Sequence, residues 1–253
     1  MFGMIIAGGR GNRLRPLTNE TPKPLIKICG KPLILYQVEK FRDAGIDNIV
    51  LLLGYKWKSF VPYFPELTLI DSISRGRRSN VYMSVENAPL GRGGAIKEAM
   101  KSILPEDEDS FMVSNGDLYT EEDYSSVLRK YNHNLSYDKD HMATMLTCRM
   151  ENFKGVVDLD GDTVTSFDEN KDVSPWINAG LYVFNRQIFK HLPDVGDHET
   201  DTFPYLVDLR KISAYPTNKF TRSLDSFNDL EVIENKIKKM PSLNPLQKDI
   251  HTL

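Results

Sequence analysis

The sequence predicts a three-layer α/β/α fold around a mostly parallel, Rossmann-like sheet, with an added β-rich region in its second half. Three observations lead to that class. Short apolar runs bounded by turn residues, such as Met4 to Ala7, Asn48 to Leu53 and Ser110 to Ser114, read as strands covered on both faces. Helical spacing of apolar residues alternates with these runs, in the order β-α-β-α-β-β-α-β. After residue 142 the pattern becomes strand-like and includes an Asp-Gly-Asp turn. With 253 residues and 40% hydrophobic content, the chain suffices for one domain with a substantial core. That domain is expected over residues 1–240, with 241–253 as a C-terminal tail.

Met4-Ile5-Ile6-Ala7 opens as a buried strand and runs into a glycine-rich turn. Pro32 to Ala44 reads as a helix, with Leu33, Leu35, Tyr36, Val38 and Phe41 on one side and Gly45 as its stop. Asn48 to Gly54 is the next strand, followed by a short helix over Lys56 to Tyr63. Thr68-Leu69-Ile70 and Val81 to Val85 are expected as strands. Gly93 to Ile103 is helical and must end before Pro105. Ser110 to Ser114 is a strand that closes in Asn115-Gly116-Asp117. Asn132 to Asp140 reads as a polar loop. Met142 to Cys148 and Trp176 to Phe184 are strands, with a hairpin over Gly155 to Val164 between them. This half is expected to form an added β-rich lobe. His198 to Pro204 reads as a structural polar loop before a helix, and a last helix spans Asn228 to Lys239.

Composition removes several classes of function. Net charge is −3 with both signs mixed along the chain, which gives no footprint for nucleic acid or a membrane surface. The two cysteines, Cys29 and Cys148, form no C-x-x-C pair, which fits a reducing compartment. The five histidines lack metal-ligand spacing. No apolar run approaches the ~20 residues of a membrane span. The N-terminal apolar stretch stops at Gly8, so no leader is expected and a cytoplasmic location is the default. Self-association stays open.

The turn after the first strand carries the chemistry. Gly8, Gly9 and Gly11 let backbone N–H groups approach an anion, and Arg10, Arg13, Arg15 and Lys23 supply positive charge around them. A polyphosphate is the ligand that fits. The turn is not a P-loop, because Gly30-Lys31 is followed by Pro32 and places no hydroxyl. It is not the dinucleotide fingerprint either, since Leu14 holds the place of the third glycine. Ligands of open α/β sheets bind beyond the carboxyl ends of the strands, so Asp117 should face the same crevice as the glycine turn. One or two carboxylates with phosphate oxygens make a Mg²⁺ site. Asn115-Gly116-Asp117 would also serve as a plain turn. Asp225 reads on its own as the N-cap of the last helix, with Asp229 a helix-start carboxylate.

Gly8-Gly9-Arg10-Gly11-Asn12-Arg13-Leu14-Arg15-Pro16-Leu17-Thr18, followed by Pro22-Lys23-Pro24, resembles the signature of the sugar-phosphate nucleotidyltransferases, the nucleotide-sugar pyrophosphorylases. Asn12 stands where Thr or Ser is usual. The later segments Leu90 to Ile96, Phe153 to Val157, Phe167 to Lys171, Trp176 to Phe184 and Asp225 to Leu230 are similar to further family motifs. The resemblance extends over about residues 3–235. It implies a Mg²⁺-dependent enzyme that transfers NMP from a nucleoside triphosphate to a sugar 1-phosphate and releases pyrophosphate. It also implies a nucleotide-binding part over about 1–130 and an acceptor-binding part over about 142–215, without a left-handed β-helix extension.

Carried over residue by residue, the resemblance makes Arg13 and Lys23 catalytic. It assigns Ala7, Gly8, Gly9, Gly11, Asn12, Arg13, Glu86, Gly91 and Gly94 to the nucleotide, and Asp117 and Asp225 to the metal. Gly155, Glu169, Lys171 and Asn178 meet the acceptor. Glu86 falls at a position that touches the base edge. A carboxylate only accepts, and guanine offers adjacent N1–H and N2–H donors, so GTP is favoured slightly over pyrimidine nucleotides. Arg92 replaces the usual Thr and would face solvent or add a phosphate contact. Asn170 stands where the family has Lys, with Lys171 one place late. A cytidylyl- or uridylyltransferase acting on a non-sugar phosphate, and a catalytically silent nucleotide sensor, are the alternatives.

Overall fold

Strand β1 (Phe2–Ile6) lies in the interior of a seven-stranded sheet, where its apolar side chains are covered on both faces. The computed structural model describes residues 1–69, 79–150, 156–169 and 174–239. After β1 come a 3₁₀ turn (Asn12–Leu14), the one-turn helix α1 (Leu17–Glu20) and a small hairpin of β2 (Lys27–Ile28) and β3 (Lys31–Pro32). Helix α2 (Leu33–Asp43) leads to β4 (Asn48–Leu53), a 3₁₀ stretch (Trp57–Tyr63) and α3 (Phe64–Leu69). Then follow β5 (Asn80–Val85), α4 (Gly91–Ser102), β6 (Ser110–Asn115), β7 (Leu118–Thr120) and α5 (Tyr124–Tyr137). The second half holds β8 (Ala143–Arg149), β9 (Val156–Asp160), β10 (Thr163–Asp168) and β11 (Trp176–Asn185). It ends with α6 (Phe203–Asp208), β12 (Ile212–Thr217), β13 (Thr221–Ser223) and α7 (Phe227–Lys238).

The sheet order is β12-β8-β11-β6-β1-β4-β5. Strands β6, β1, β4 and β5 run parallel, and β12 is parallel to β8, while β11 is antiparallel to both of its neighbours. The period-two alternation of a strand splits the core in two. Ile5, Leu51, Met112 and Val183 pack with α2 and α5 residues such as Phe41 and Tyr131. Met4, Val50, Val113 and Tyr182 pack on the other face with Ile96 of α4 and Leu206 of α6. A third cluster joins Leu14, Ile26 and Leu33 to Leu224 and Ile233, and so ties the early loops to α7.

The expected three layers and mostly parallel sheet are present, and three local expectations are corrected. Thr68 and Leu69 end α3 rather than start a strand; the Thr68 hydroxyl donates to the Phe64 carbonyl at 2.9 Å, a helical back-bond. Ile70 lies outside the described residues. Asn132 to Tyr137 is the last part of α5, not a loop. Asp123 caps that helix by accepting from Ser125 N–H, Val127 and Tyr131 fill its buried face, and the polar residues face water. His198–Thr202 forms a π-helical turn that runs into α6. The second half contributes β8, β11 and β12 to the main sheet, and the hairpin β9–β10 stands outside it.

Candidate active site

Parallel strands β1, β4 and β6 end at one edge, so the loops after Ile6, Leu53 and Asn115 meet there. Backbone bonds fix the meeting: Ala7 N–H donates to Leu52 O at 2.8 Å, Gly116 N–H to Ile6 O at 2.8 Å and Tyr55 N–H to Gly8 O at 3.1 Å. Gly11 adopts φ 61°, a left-handed conformation that favours glycine, and its carbonyl accepts from the Thr18 hydroxyl at 2.9 Å. A side chain on Gly116 would run into the Ile6 carbonyl.

The glycine turn and Asp117 face one crevice, a cavity of about 390 Å³ that also reaches Arg13, Lys23 and Asp225. Lys23 Nζ donates to Asp117 Oδ2 at 2.5 Å and to Asp225 Oδ1 at 2.7 Å. The exposed Arg13 pairs with the same Asp225 oxygen at 2.8 Å. The local fold explains how residues 200 positions apart arrive together. Strand β13 pairs with β7, and Leu224 N–H donates to Asp117 O at 2.8 Å. Helix α7 is capped by Ser226, whose hydroxyl accepts from Asp229 N–H while the Asp229 carboxylate accepts from Ser226 N–H. The cap is therefore Ser226 and not Asp225, and the Asp225 carboxylate is left facing Lys23. Asp229 is the helix-start carboxylate expected. Burial pushes its pKa up, but bonds from Arg222 and Ser226 outweigh burial and hold it below the ordinary value.

A second cavity of about 430 Å³ continues from Gly8 and Gly9 past Gly54, Tyr55 and Glu86 to Gly91. Glu86 Oε2 accepts from Leu90 N–H at 2.9 Å, and Oε1 lies against the backbones of Gly8 and Gly54. Gly91 has φ 74°, and the turn it opens is clasped by Gly196: Gly93 N–H donates to Gly196 O at 3.0 Å and Gly196 N–H to Leu90 O at 2.8 Å. Arg92 stands where the two cavities join. Its side chain is 35% exposed, and most of its donors are taken by two acids. Its Nε donates to Asp197 Oδ2 at 2.7 Å, and its two Nη atoms grip Glu199 at 2.6 and 2.9 Å. Burial pulls the Arg92 pKa down, yet the two carboxylates outweigh it and hold it above the ordinary value.

A third cavity, of about 740 Å³, reaches Asn178 and Arg222 and shares Asp225 with the first. Asn178 Nδ2 donates to the Tyr182 hydroxyl at 2.7 Å, and its Oδ1 accepts from Gly180 N–H at 2.9 Å. Glu169 is exposed beyond β10 and lines none of these cavities among the described residues. Gly155 and Lys171 lie outside the described residues. Among the described residues no three His, Cys, Asp or Glu side chains converge as a metal cluster. Two carboxylates, Asp117 and Asp225, do converge on one cation, and that is a donor set which fits Mg²⁺ once phosphate oxygens complete it. Sequence reasoning missed Asp197, Glu199 and Tyr182. Only the extra charge at Arg92 hinted that acids should stand opposite.

Residues 2–221 match the family model described as nucleotidyl transferase. The chain belongs to that family. It is 32% identical to a mannose-1-phosphate guanyltransferase 2 of Candida glabrata, over 87% of this chain and 60% of that protein. It is also 32% identical to a bifunctional protein GlmU of Methanocaldococcus jannaschii, over 87% of this chain and 50% of that protein. The chain thus spans about 60% or less of these two curated relatives. The structure of HddC from Yersinia pseudotuberculosis, complexed with GMP-PN, shares 29% identity at a TM-score of 0.67, covering 93% of this chain and 99% of that one. A UTP-bound UGPase of Acinetobacter baumannii, 21% identical with a TM-score of 0.72 and covering 96% of this chain and 95% of that one, shows the same fold. No helix among the described residues is long and apolar enough to cross a membrane.

Proposed function

We propose that this nucleotidyltransferase family member joins the nucleotidyl group of GTP to a sugar 1-phosphate and releases pyrophosphate. The observation that carries the reading is the crevice in which Lys23 bridges Asp117 and Asp225 beside the glycine turn. GTP is supported by Glu86 at the second cavity, by the guanyltransferases among the relatives and by the GMP-PN complex of HddC. The amides of Gly8 to Gly11, with Asn12, hold the phosphate chain next to Ala7, and Gly91 borders the cavity that takes the base, with Gly94 one turn further into the same helix. Asn178 meets the acceptor's hydroxyls, and the resemblance assigns Glu169, Gly155 and Lys171 to the acceptor as well.

A phosphate monoester with a second pKa near ~6 is already a dianion at neutral pH, so the acceptor oxygen attacks the α-phosphorus without a general base. What the site must supply is alignment and neutralisation of charge. Mg²⁺ bound by Asp117 and Asp225 would supply part of that neutralisation. Lys23 then pairs with the α-phosphate and the acceptor phosphate, while Arg13 offsets the departing pyrophosphate. The test is a matrix of nucleoside triphosphates against sugar 1-phosphates with Mg²⁺, read by pyrophosphate release. GTP with a hexose 1-phosphate should give turnover. Tight nucleotide binding with no turnover across the whole matrix would overturn the reading in favour of a sensor.

A further inference from the structure

Beyond the crevice, one chain of part-buried hydrogen bonds runs from the Arg92 turn to Asn178. It starts at Arg92 in the turn that opens α4. Asp197 and Glu199 together engage Nε and both Nη atoms of its guanidinium. With most of its N–H donors committed, and with two carboxylates against its single charge, Arg92 is poorly suited to hold a phosphate. Glu199 Oε1 then accepts from the Tyr182 hydroxyl at 2.8 Å. The Tyr182 oxygen in turn accepts from Asn178 Nδ2 at 2.7 Å.

The direction of each bond in this chain is fixed by chemistry. An ionised carboxylate only accepts, so the Tyr182 proton must point to Glu199. The Tyr182 lone pair therefore faces Asn178, and Asn178 must present its amide N–H there. Its carbonyl oxygen is held at the same time by Gly180 N–H at 2.9 Å. Among the described residues one N–H and one oxygen lone pair of Asn178 are left over and can pair with a sugar hydroxyl. Tyr182 itself is buried, its ring stacked on Phe184 at 5.4 Å and met edge-on by His198 at 5.3 Å, so its position is set by packing.

We propose that Glu199, held by Arg92, is a positioning residue that acts through the Tyr182 hydroxyl to orient Asn178 toward the acceptor. The segment around Gly196 that clasps the nucleotide turn thereby also sets acceptor recognition. The proposal rests on the function proposed above, in that Asn178 meets the acceptor.

Tyr182→Phe is the direct test, because it deletes one hydroxyl and leaves the Arg92–Glu199 pair intact. The expected result is a fivefold or larger rise in KM for the sugar 1-phosphate, with kcat changed less. The Kd for GTP, measured by direct titration without acceptor, should stay within twofold. Glu199→Gln should raise the acceptor KM as well, because an amide can donate and the Tyr182 proton loses its single direction. Arg92→Lys keeps the charge but not the fork, and should fall between wild type and Glu199→Gln. If Tyr182→Phe and Glu199→Gln both leave the acceptor KM within twofold, the relay does not exist. Equal losses in GTP affinity and acceptor KM would mean general loosening and would likewise overturn it. Absence of transfer by the wild type, with GTP still bound, would instead defeat the function reading itself.

Discussion

Lys23 is the residue on which the electrostatics of the crevice turn. Its ammonium is mostly buried, with 12% of the side chain exposed, and it compensates Asp117 and Asp225 at once. Lys23→Ala and Arg13→Ala should each reduce turnover by about 10²-fold or more, the scale of losing one charge-stabilising group. Steady-state pyrophosphate release checks this, and near-normal rates in both would remove them from the chemistry. His198 makes a separate prediction. Its ring is fully buried, neither nitrogen has a hydrogen-bond partner among the described residues, Nδ1 lies 3.7 Å from Asp197, and burial pulls its pKa from 6.5 to about 4. The folded ring therefore stays neutral while the unfolded ring takes up a proton. Stability from this residue is complete above pH 6.5 and falls as pH drops toward 4, by about 3 kcal/mol. Denaturant unfolding across that range should show the slope, and His198→Phe should flatten it relative to wild type.

At the scale of elements, α7 matters because it carries no part of the sheet yet delivers a carboxylate to the crevice. Its capping box holds the chain just after Asp225. Ser226→Ala should cost about 1 kcal/mol of stability and weaken Mg²⁺-dependent nucleotide binding, because the backbone at Asp225 loses its anchor. Thermal unfolding and nucleotide titration together separate the two effects. This element also marks how far the sequence could be read. The apolar runs of β1, β4 and β6 are buried on both faces, so each was legible from composition alone. The glycine turn was legible for the opposite reason, since only glycines and cations make sense at an anion site. Thr68 and Leu69 deceived because a short run opening on a β-branched residue carries no period of its own. The last part of α5 deceived because its outer face is mostly polar and its fully buried residues lie upstream. At the site, Asp117 followed from strand ends. The pairing of Arg92 with Asp197 and Glu199 did not, because partners 105 and 107 residues apart are chosen by packing.

Over the whole molecule, the antiparallel insertion of β11 between β6 and β8 would let one sheet serve both ligands of the proposed reaction. Parallel strands bring the glycine turn and Asp117 to one edge, and β11 runs away from that edge with Asn178 near its start and Tyr182 further along. The three cavities are joined through Arg92, which the first two share, and Asp225, which the first and third share. The third core cluster locks α7 onto the loops of residues 14–33 and closes the arrangement. A chain truncated after Ser223 should lose that lock, exposing Leu14 and Ile28, and should fail to bind nucleotide in a Mg²⁺-dependent manner by titration.

The most direct measurement is a crystal structure with a non-hydrolysable GTP analogue and Mg²⁺. The triphosphate should lie along the amides of residues 8–12, with the metal on Asp117 and Asp225 and Lys23 turned to the α-phosphate. A nucleotide bound elsewhere, with Lys23 still joined to both aspartates and the glycine turn empty, would contradict the account.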